Sequence, residues 1–343
     1  MKIKIINPIE FPNWNRYIAE FDEASIFHTS NWASVLSEAY NYVPKYFTAF
    51  QDGFIIGCIP IMEIKSVLTG QRGVSLPFTD ECQRLGNDSE TDSAIWNHLK
   101  HHGKKSNWNY IELRGTRNNI PEAPASDSFA LHTLDLNTRE TDLLKRLRDS
   151  TRRNIKNASQ RGVTIQSNRS LTALKAFYRL NCRTRRRHGV PPQPHQWFIS
   201  IYERILATNK GFILSAIHTG AVIAAAVIFH FNKTVTFKYG ASIPNQQHLR
   251  ANNLLIWEAI KWGIEKGFKR FNFGRTDMNN HGLLQFKRGW GAVEETLNYY
   301  QYNLKNCSFR SETSKFKSSY PILKIMPLPL LKISGQILYR HIG

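Results

Sequence analysis

The sequence predicts an α+β protein with two domains, and three observations carry that prediction. The chain has 343 residues, which at about 150 residues per domain corresponds to two domains. Its composition, 41% hydrophobic and 21% charged, is typical of soluble globular proteins and argues against a mainly disordered chain. One order of predicted elements, β-β-β-α-β, occurs twice along the sequence.

The first copy of this pattern begins with a strong hairpin signal. An Asp52-Gly53 turn separates two strand patterns. Ser89 is the predicted N-cap of the helix that follows the third strand. The predicted elements are strands over 46–50, 54–64, 73–78 and 109–115 and a helix over 89–105.

The second copy repeats the order with two further turns, at Thr219-Gly220 and Asn232-Lys233. Apolar residues fall on one side of its helix, and Gly267 supplies the stop signal. The predicted elements are strands over 211–218, 221–231, 234–241 and 269–274 and a helix over 252–266. Because β-β-β-α-β is also a common arrangement, the pattern is compatible with a duplication and with coincidence.

A basic helical region, residues 138–187, lies between the two copies. Charged runs of this kind are usually solvated helix faces. Guanidinium groups that cluster near helix ends are also well suited to binding phosphate. The clustered residues are Arg152, Arg153, Arg183, Arg185, Arg186 and Arg187.

The overall charge narrows the range of partners. With 46 Lys and Arg against 26 Asp and Glu, the net charge of +20 attracts nucleic acid, an anionic membrane or a phosphorylated substrate. The four cysteines are far apart and show no metal-ligand spacing, so they are expected to be reduced structural thiols, and no metal site is predicted. The N-terminus lacks the apolar core of a signal peptide, which predicts a cytoplasmic protein.

Several motifs occur in a characteristic order between about residues 25 and 303. They are IFHTSNW, GCIPIMEI, SLPFTDECQRL, IELRG, LLKRLRDSTRRNIKNASQRGVTI, YGASIPNQQ, NNLLIWEAI, FNFGRT and GLLQFKRGWG. In this order the chain resembles the FemAB-type branch of the GNAT superfamily. That branch includes the peptidoglycan aminoacyl transferases and related acyltransferases of exopolysaccharide gene clusters.

The resemblance implies two tandem GNAT-like domains with a cleft between them. The expected boundaries are 1–130 for the first domain, 131–305 for the second domain with its basic helices, and 306–343 for an apolar and basic tail. It also implies an enzyme that moves an activated acyl or aminoacyl group onto an amine or hydroxyl of a peptidoglycan or exopolysaccharide precursor.

Lys287 matches the lysine of the family's FK motif, which lies beside the reacting carbonyl. A fixed cation there stabilises the negative charge that develops on oxygen. The alternative is a surface lysine whose stem covers Trp290. His281 and Asp277, in the preceding loop, are candidate proton acceptors, although such loops are also ordinary turns.

The resemblance also yields further candidate residues in both domains. Asp80 is a candidate catalytic residue of the first domain or a helix N-cap. Arg275 binds a substrate anion or pairs with Asp277. The full set of expected substrate-binding residues is Arg275, Arg152, Arg153, Arg183, Arg186, Tyr239 and Trp290.

The acyl donor is expected to be aminoacyl-tRNA or acyl-CoA, with no bound cofactor. A GNAT protein that uses acetyl-CoA normally has a glycine-bearing loop before its main helix. Here that loop reads NQQHLRANN and has no glycine, which does not favour CoA. The expected partners are a phosphorylated or lipid-linked envelope precursor, with tRNA and an anionic membrane surface as further candidates. The rival hypothesis is a non-catalytic basic protein that binds RNA or a membrane.

The tail after Tyr320 combines many apolar residues with positive charge. Pro327 and Pro329 interrupt any single helix, so the pattern favours a segment that lies on a membrane, peripheral to its inner face, over one that spans it. The alternative is that the tail packs onto the first domain as ordinary core.

Overall fold

The computed structural model describes residues 1–86, 88–116, 123–311 and 320–343, which form two compact units. The first comprises the described residues of Met1–Phe129, Thr296–Lys315 and Ile337–Gly343, and the second comprises those of Ala130–Glu295 and Phe316–Gln336. These units differ from the predicted boundaries, because residues after Thr296 and the chain end join the first unit.

The first unit reproduces the first predicted β-β-β-α-β order. Its strands are β1 Lys2–Ile6, β2 Val43–Gln51, β3 Phe54–Ser66, β4 Gly70–Val74 and β5 Tyr110–Thr116, and its helices are α1 Trp14–Ile18, α2 Ser30–Tyr40 and α3 Ser89–Lys105. Strands β1 to β4 pair antiparallel in sequence, and β5 pairs parallel to β4 after the α3 crossover.

The second unit repeats these pairings. Its strands are β6 Asp127–Asp135, β7 Thr164–Asn168, β8 Gly211–His218, β9 Ala221–Phe231, β10 Thr234–Ser242 and β11 Arg270–Asp277, and its helices are α4 Glu140–Arg146, α5 Asp149–Gln160, α6 Leu171–Arg187, α7 His195–Ile201, α8 Ala251–Glu265 and α9 His281–Arg288. Strands β8, β9 and β10 pair antiparallel, and β11 pairs parallel to β10 after α8. The recurrence of the predicted order is therefore confirmed, together with the α+β class.

The remaining elements follow α9 in sequence. They are β12 Val293–Asn303, β13 Ser308–Phe309, α10 Pro321–Ile325 and α11 Leu328–Leu338. Strand β12 pairs antiparallel with β5, which explains why residues after Thr296 belong to the first unit. Within the described residues, every helix is too short or too polar to cross a membrane.

The predicted turns form as the sequence requires. At Asp52-Gly53 the φ angles are 51° and 86°, and at Thr219-Gly220 they are 47° and 77°. Two successive positive φ angles are the signature of the tight hairpin turn that matches strand twist, and Asp-Gly is favoured there because glycine pays no steric penalty.

Two local predictions in the first unit are wrong. The third strand was expected over 73–78, but β4 ends at Val74 because Leu76 and Phe78 adopt φ angles of 47° and 61°, which no strand accommodates. Ser89 is the first residue of α3, and its N-cap is Asp88, whose Oδ2 accepts a hydrogen bond from the Thr91 N–H at 2.7 Å.

Helices cover both faces of the second unit's sheet. Phe212, Leu214 and Ala216 alternate along β8 and share one core with α5 and α8. On the other face α6 packs on β8, β9 and β10, where Phe177 contacts Phe198 of α7. Because successive side chains of a strand point to opposite faces, α5 and α8 lie on one face and α6 and α7 on the other.

The end of the chain is bound inside the first unit by a buried arginine. Arg72 is 1% exposed, and its Nη2 donates to the carbonyls of His341 at 2.7 Å and Gly343 at 3.0 Å. The Tyr42 hydroxyl donates to the Tyr339 carbonyl at 3.1 Å. The alternative that the tail packs onto the first domain therefore holds for its last five residues.

A buried histidine makes the first unit sensitive to acid. His28 is 1% exposed, its Nδ1 accepts a hydrogen bond from the Ser25 N–H, and its Nε2 lies 2.7 Å from the Gln83 carbonyl. This pattern requires the neutral ring, and burial lowers the pKa of His28 from 6.5 to about 4.

We expect the folding stability to fall as the pH drops from about 7 to about 5. In this range His28 becomes protonated in the unfolded state but stays neutral in the folded state. The loss from this residue is about 2 kcal/mol. Chemical unfolding of the wild type and of His28→Asn at several pH values measures it. The variant should show a shallower pH dependence, whereas His101→Asn, at an exposed histidine, should match the wild type. Equal slopes for the wild type and His28→Asn would contradict the assignment.

Candidate active site

The candidate site lies where strands β10 and β11 of the second unit stop pairing. Their parallel register joins Thr234–Thr236 to Arg270–Asn272, and the pairing of β10 with β9 shifts after Phe237. Strand β11 continues to Asp277. Just beyond this pairing, the Gly274 N–H donates to the side-chain Oδ1 of Asn272 at 2.7 Å.

The Lys287 side chain binds the backbone carbonyl of the same glycine, Gly274. Its Nζ donates to the Gly274 carbonyl at 2.6 Å and lies 3.4 Å from the Arg275 carbonyl. The side chain is only 5% exposed, so the alternative of a surface lysine is wrong. A buried ammonium is tolerated because these carbonyls replace its water.

Helix α9 holds Lys287 in place through contacts at both of its ends. The Asn280 Oδ1 caps its start by accepting from the Leu283 N–H at 3.2 Å. At its end, the Gly289 carbonyl accepts from the Thr151 Oγ1 at 3.0 Å and from the Arg148 N–H at 3.1 Å. The start of α5 therefore binds the end of α9, which limits the movement of Lys287.

Three charged or titratable residues near Lys287 were not predicted from the sequence. His132 of β6 is fully buried, and its Nε2 lies 2.9 Å from the Glu294 Oε2. Arg288 donates to both oxygens of Glu294, at 2.6 and 2.7 Å. Burial, followed by the charge of Lys287, lowers the pKa of His132, and the hydrogen bond from Arg288 lowers the pKa of Glu294. The site therefore favours a neutral His132 beside a charged lysine.

A pocket of about 220 Å³ lies on the face of the second unit's sheet that α5 and α8 cover. Side-chain amides, an arginine and a few apolar groups form its wall. The lining residues are Asn154, Ile223, Ser242, Ile243, Gln246, Gln247, Arg250, Ala251, Asn252, Asn253 and Phe286. Phe286 directly precedes Lys287, so the pocket and the lysine share α9.

The start of α8 forms one wall of this pocket, at the position of the glycine-free NQQHLRANN loop. A 3₁₀ turn over Pro244–Leu249 leads to Arg250, which has a φ of 57°. This left-handed conformation favours glycine, and arginine adopts it at a cost of about 1 kcal/mol. A charged side chain therefore stands where a backbone cradle is expected, next to the positive end of the α8 dipole.

The predicted proton acceptors lie at the two ends of the loop between β11 and α9. Asp277 is exposed, and its Oδ1 accepts from the Asn279 N–H at 2.9 Å in a local turn. His281 is exposed and is the first residue of α9. Arg275 is half-buried on β11. Arg275 and Asp277 are therefore on β11 and His281 is on α9, the two elements that the hydrogen bond from Lys287 to Gly274 joins.

Three other predicted site residues are not part of this stretch of the second unit. Asp80 belongs to the first unit and caps none of the described helices, and its carbonyl accepts from the Tyr299 hydroxyl at 2.9 Å. The Tyr239 hydroxyl accepts from the Trp197 Nε1 at 3.0 Å on the α6 and α7 face, opposite the pocket. Trp290 is fully buried against Phe273 and Phe286, so we assign it to the core rather than to substrate contact.

The predicted arginine cluster separates into two sets. Arg152 and Arg153 are on α5, on the pocket side, where Arg152 pairs with Asp149. Arg183 and Arg186 are on α6, on the opposite face of the sheet. Sequence adjacency of the two helices therefore does not produce one phosphate site.

Comparison with known proteins identifies the folding pattern around this site. Residues 145–288 match the family model described as an acetyltransferase (GNAT) domain. The curated lipid II:glycine glycyltransferase of Staphylococcus haemolyticus is 29% identical over 92 residues, which are 25% of this chain and 22% of that protein. The chain thus matches about a fifth of its relative's length. Together with the motifs, these matches support the resemblance to the FemAB-type branch.

Solved structures show the same fold at low sequence identity. The crystal structure of FemX superposes with a TM-score of 0.74 at 13% identity, covering 89% of this chain and 98% of that chain. A tandem GNAT protein from the clavulanic acid biosynthesis pathway superposes with a TM-score of 0.51 at 10% identity, covering 88% and 98%. The predicted tandem GNAT-like fold is therefore confirmed.

Proposed function

From the premise that residues 145–288 form a GNAT domain in a chain of FemAB-type resemblance, we propose that the protein is an acyltransferase or aminoacyltransferase. It would move an activated acyl group onto an amine or hydroxyl of a peptidoglycan or exopolysaccharide precursor. The observation that supports this proposal best is Lys287, a buried ammonium held by the Gly274 and Arg275 carbonyls where two strands part.

The proposed reaction is a nucleophilic acyl substitution. The acceptor amine or hydroxyl attacks the carbonyl carbon of an ester or thioester, and the carbonyl electrons move onto oxygen. Lys287 stabilises this oxyanion, because a fixed charge in a water-poor site needs no reorganisation. The carbonyl re-forms as the bond to the donor oxygen or sulfur breaks. The proton from the acceptor passes to Asp277 or His281, and the leaving group takes up a proton.

The pocket beside α9 is our proposed site for the phosphate-bearing end of the donor. Arg250 supplies a positive charge, and the Asn154 and Asn252 side chains supply hydrogen-bond donors. Acyl-CoA and aminoacyl-tRNA both carry phosphate, in CoA at the far end of the pantetheine arm and in tRNA beside the acylated ribose, so the charge of Arg250 is compatible with either donor. Arg152 and Arg153 on the adjoining α5 extend the positive surface toward a polyanionic donor.

We expect Arg250→Gln to weaken binding of the donor's phosphate group by about tenfold or more, because a charged hydrogen bond is lost. Titrations with CoA and with deacylated tRNA, each at low and high salt, identify which one depends on Arg250. Arg250→Gly is the matched variant, because glycine accepts the φ of 57°, and its melting temperature should equal or exceed that of the wild type. Unchanged affinity for both probes in both variants would remove this pocket from the donor site.

The acceptor is proposed to be a phosphorylated or lipid-linked envelope precursor. A lipid-linked acceptor would bring the enzyme to the inner face of the membrane as a peripheral protein. Mass spectrometry of peptidoglycan and envelope glycans from a deletion strain, compared with the same strain carrying the wild-type gene, tests the function. Loss of one acyl or aminoacyl group that returns with the gene supports the proposal. An unchanged envelope, with RNA recovered on the purified protein, would favour the non-catalytic alternative.

A further inference from the structure

Helices α10 and α11 each present a row of exposed apolar side chains. On α11, Leu330 and Ile333 recur at a spacing of three, the spacing of one helix face, and on α10, Ile322 and Ile325 recur at the same spacing. Their exposures are 67% for Ile322, 83% for Ile325, 55% for Leu330 and 51% for Ile333. We call these four residues of the second unit the docking face.

The docking face is the outer side of helices whose inner side is already packed in the second unit. The opposite side of α11 is already packed: Leu331 is fully buried, and a side chain at Gly335 would collide with the Pro192 carbonyl. The backbone before α10 is bound as well, because the Tyr320 N–H donates to the Gly189 carbonyl at 3.0 Å. The outward face is therefore presented on helices whose inner sides are held.

The helices that carry the docking face are basic. Residues 320–343 include Lys324, Lys332 and Arg340 and contain no Asp or Glu. Lys324 is exposed and close enough to His188 to help lower its pKa, after burial and the α6 arginines.

The basic run at the end of α6 therefore adjoins α10. Gly189, two residues after Arg187, is the residue that binds Tyr320. This run includes Arg186, which lies on the sheet face opposite the pocket, so the proposed transfer leaves it without a role.

We propose that the docking face binds an anionic phospholipid surface. The exposed isoleucines and leucine of the docking face insert into the boundary between lipid headgroups and acyl chains, while the lysines of the same helices and the arginines at the end of α6 contact the negative headgroups. Each such charge strengthens binding about fivefold. A nucleic acid would not use the aliphatic row, and a second copy of this chain would bring two basic surfaces together. Lipid is the partner that matches both the apolar row and the charge.

Co-sedimentation with vesicles tests the inference on the full-length protein. The wild type should bind vesicles of phosphatidylglycerol mixed with phosphatidylcholine, should bind pure phosphatidylcholine far less, and should release as salt rises. The triple variant Ile322→Gln, Ile325→Gln, Ile333→Gln should bind the anionic vesicles about tenfold or more weakly. These positions are exposed, so the variant's melting temperature should match the wild type.

A matched control uses an equally exposed apolar residue away from the tail. Phe54 is 71% exposed at the start of β3 in the first unit, and Phe54→Gln should bind vesicles as the wild type does. Lys324→Gln with Lys332→Gln should weaken binding at low salt. Two results would overturn the inference: a wild type that ignores anionic vesicles at low salt, or a triple variant that binds like the wild type, leaving net charge alone responsible.

A third overturning result is a wild-type dimer that the triple variant abolishes, since the occupant would then be a second copy. Light scattering of both proteins detects it. Vesicle binding is measured without donor or acceptor, so its failure would leave the proposed acyl transfer intact, and loss of transfer would leave the membrane inference intact.

Discussion

Lys287→Met should lower the rate of acyl transfer by about 100-fold or more, because it removes a fixed charge that stabilises the oxyanion. The assay is restoration of the missing acyl or aminoacyl group in the deletion strain, measured by mass spectrometry, followed by transfer rates in vitro once that group identifies the substrates. Substrate affinity should change much less than the rate, since the charge acts mainly on the transition state.

The structure adds a stability cost to this substitution. Methionine would leave the Gly274 carbonyl without the hydrogen bond that Lys287 donates at 2.6 Å, which costs about 1 to 3 kcal/mol. The melting temperature and the protein level in the strain must therefore be measured with the activity. Lys287→Arg keeps the charge in a different shape and should retain part of the stability while losing most of the rate.

Lys269→Met is the matched control for Lys287→Met, because it makes the same chemical change at an exposed position. It should transfer and fold like the wild type. Folded Lys287→Met that works at the wild-type rate would refute the catalytic assignment. If Lys287→Met unfolds, Lys287→Arg is the deciding variant, and a folded Lys287→Arg that transfers at the wild-type rate would contradict the predicted loss of most of the rate.

Trp290→Ala should destabilise the second unit by about 3 to 5 kcal/mol, the cost of a cavity the size of a large aromatic side chain. Trp290 has no exposed surface, and its ring lies 6.2 Å from those of both Phe273 and Phe286. Urea unfolding measures the loss. Trp290→Phe fills much of the same space and should lose distinctly less stability.

The stability of Trp290→Ala distinguishes the core assignment from the sequence-based expectation of substrate contact. A substrate-binding tryptophan would lose affinity on truncation with little change in folding. If Trp290→Ala unfolds at the wild-type urea concentration but binds donor or acceptor more weakly, our core assignment is wrong. A large shift in the unfolding midpoint supports it.

Local features of the sequence predicted the two β-β-β-α-β orders. The strands β8 and β9 and the turn at Thr219-Gly220 were predicted with their observed bounds, because alternation, chain length and turn chemistry are set by neighbouring residues. The end of β4 was missed for the opposite reason. Leu76 and Phe78 have strand-forming side chains, and their positive φ angles come from tertiary contacts that override propensity.

The candidate site was only partly accessible from the sequence. The FK motif identified Lys287, and the Asn-rich loop before it identified Asp277 and His281, because these residues lie within eleven positions of one another. His132 and Arg250 carried no such signal. His132 reaches Glu294 only through the arrangement of β6 and β12, and Arg250 lines the pocket from a left-handed backbone position that the sequence does not indicate.

By itself, then, the sequence determined the class of fold, the repeated element order, the positive charge and the lysine on which the proposed chemistry depends. Only the tertiary structure decided that Lys287 is buried on two carbonyls, that the arginines of α5 and α6 lie on opposite faces of a sheet, and that Trp290 belongs to the core. It also decided that the tail leaves an apolar face exposed while its end is bound by Arg72. The physical reason is that helix and strand periods are local, whereas burial and charge pairing depend on residues far apart in the chain.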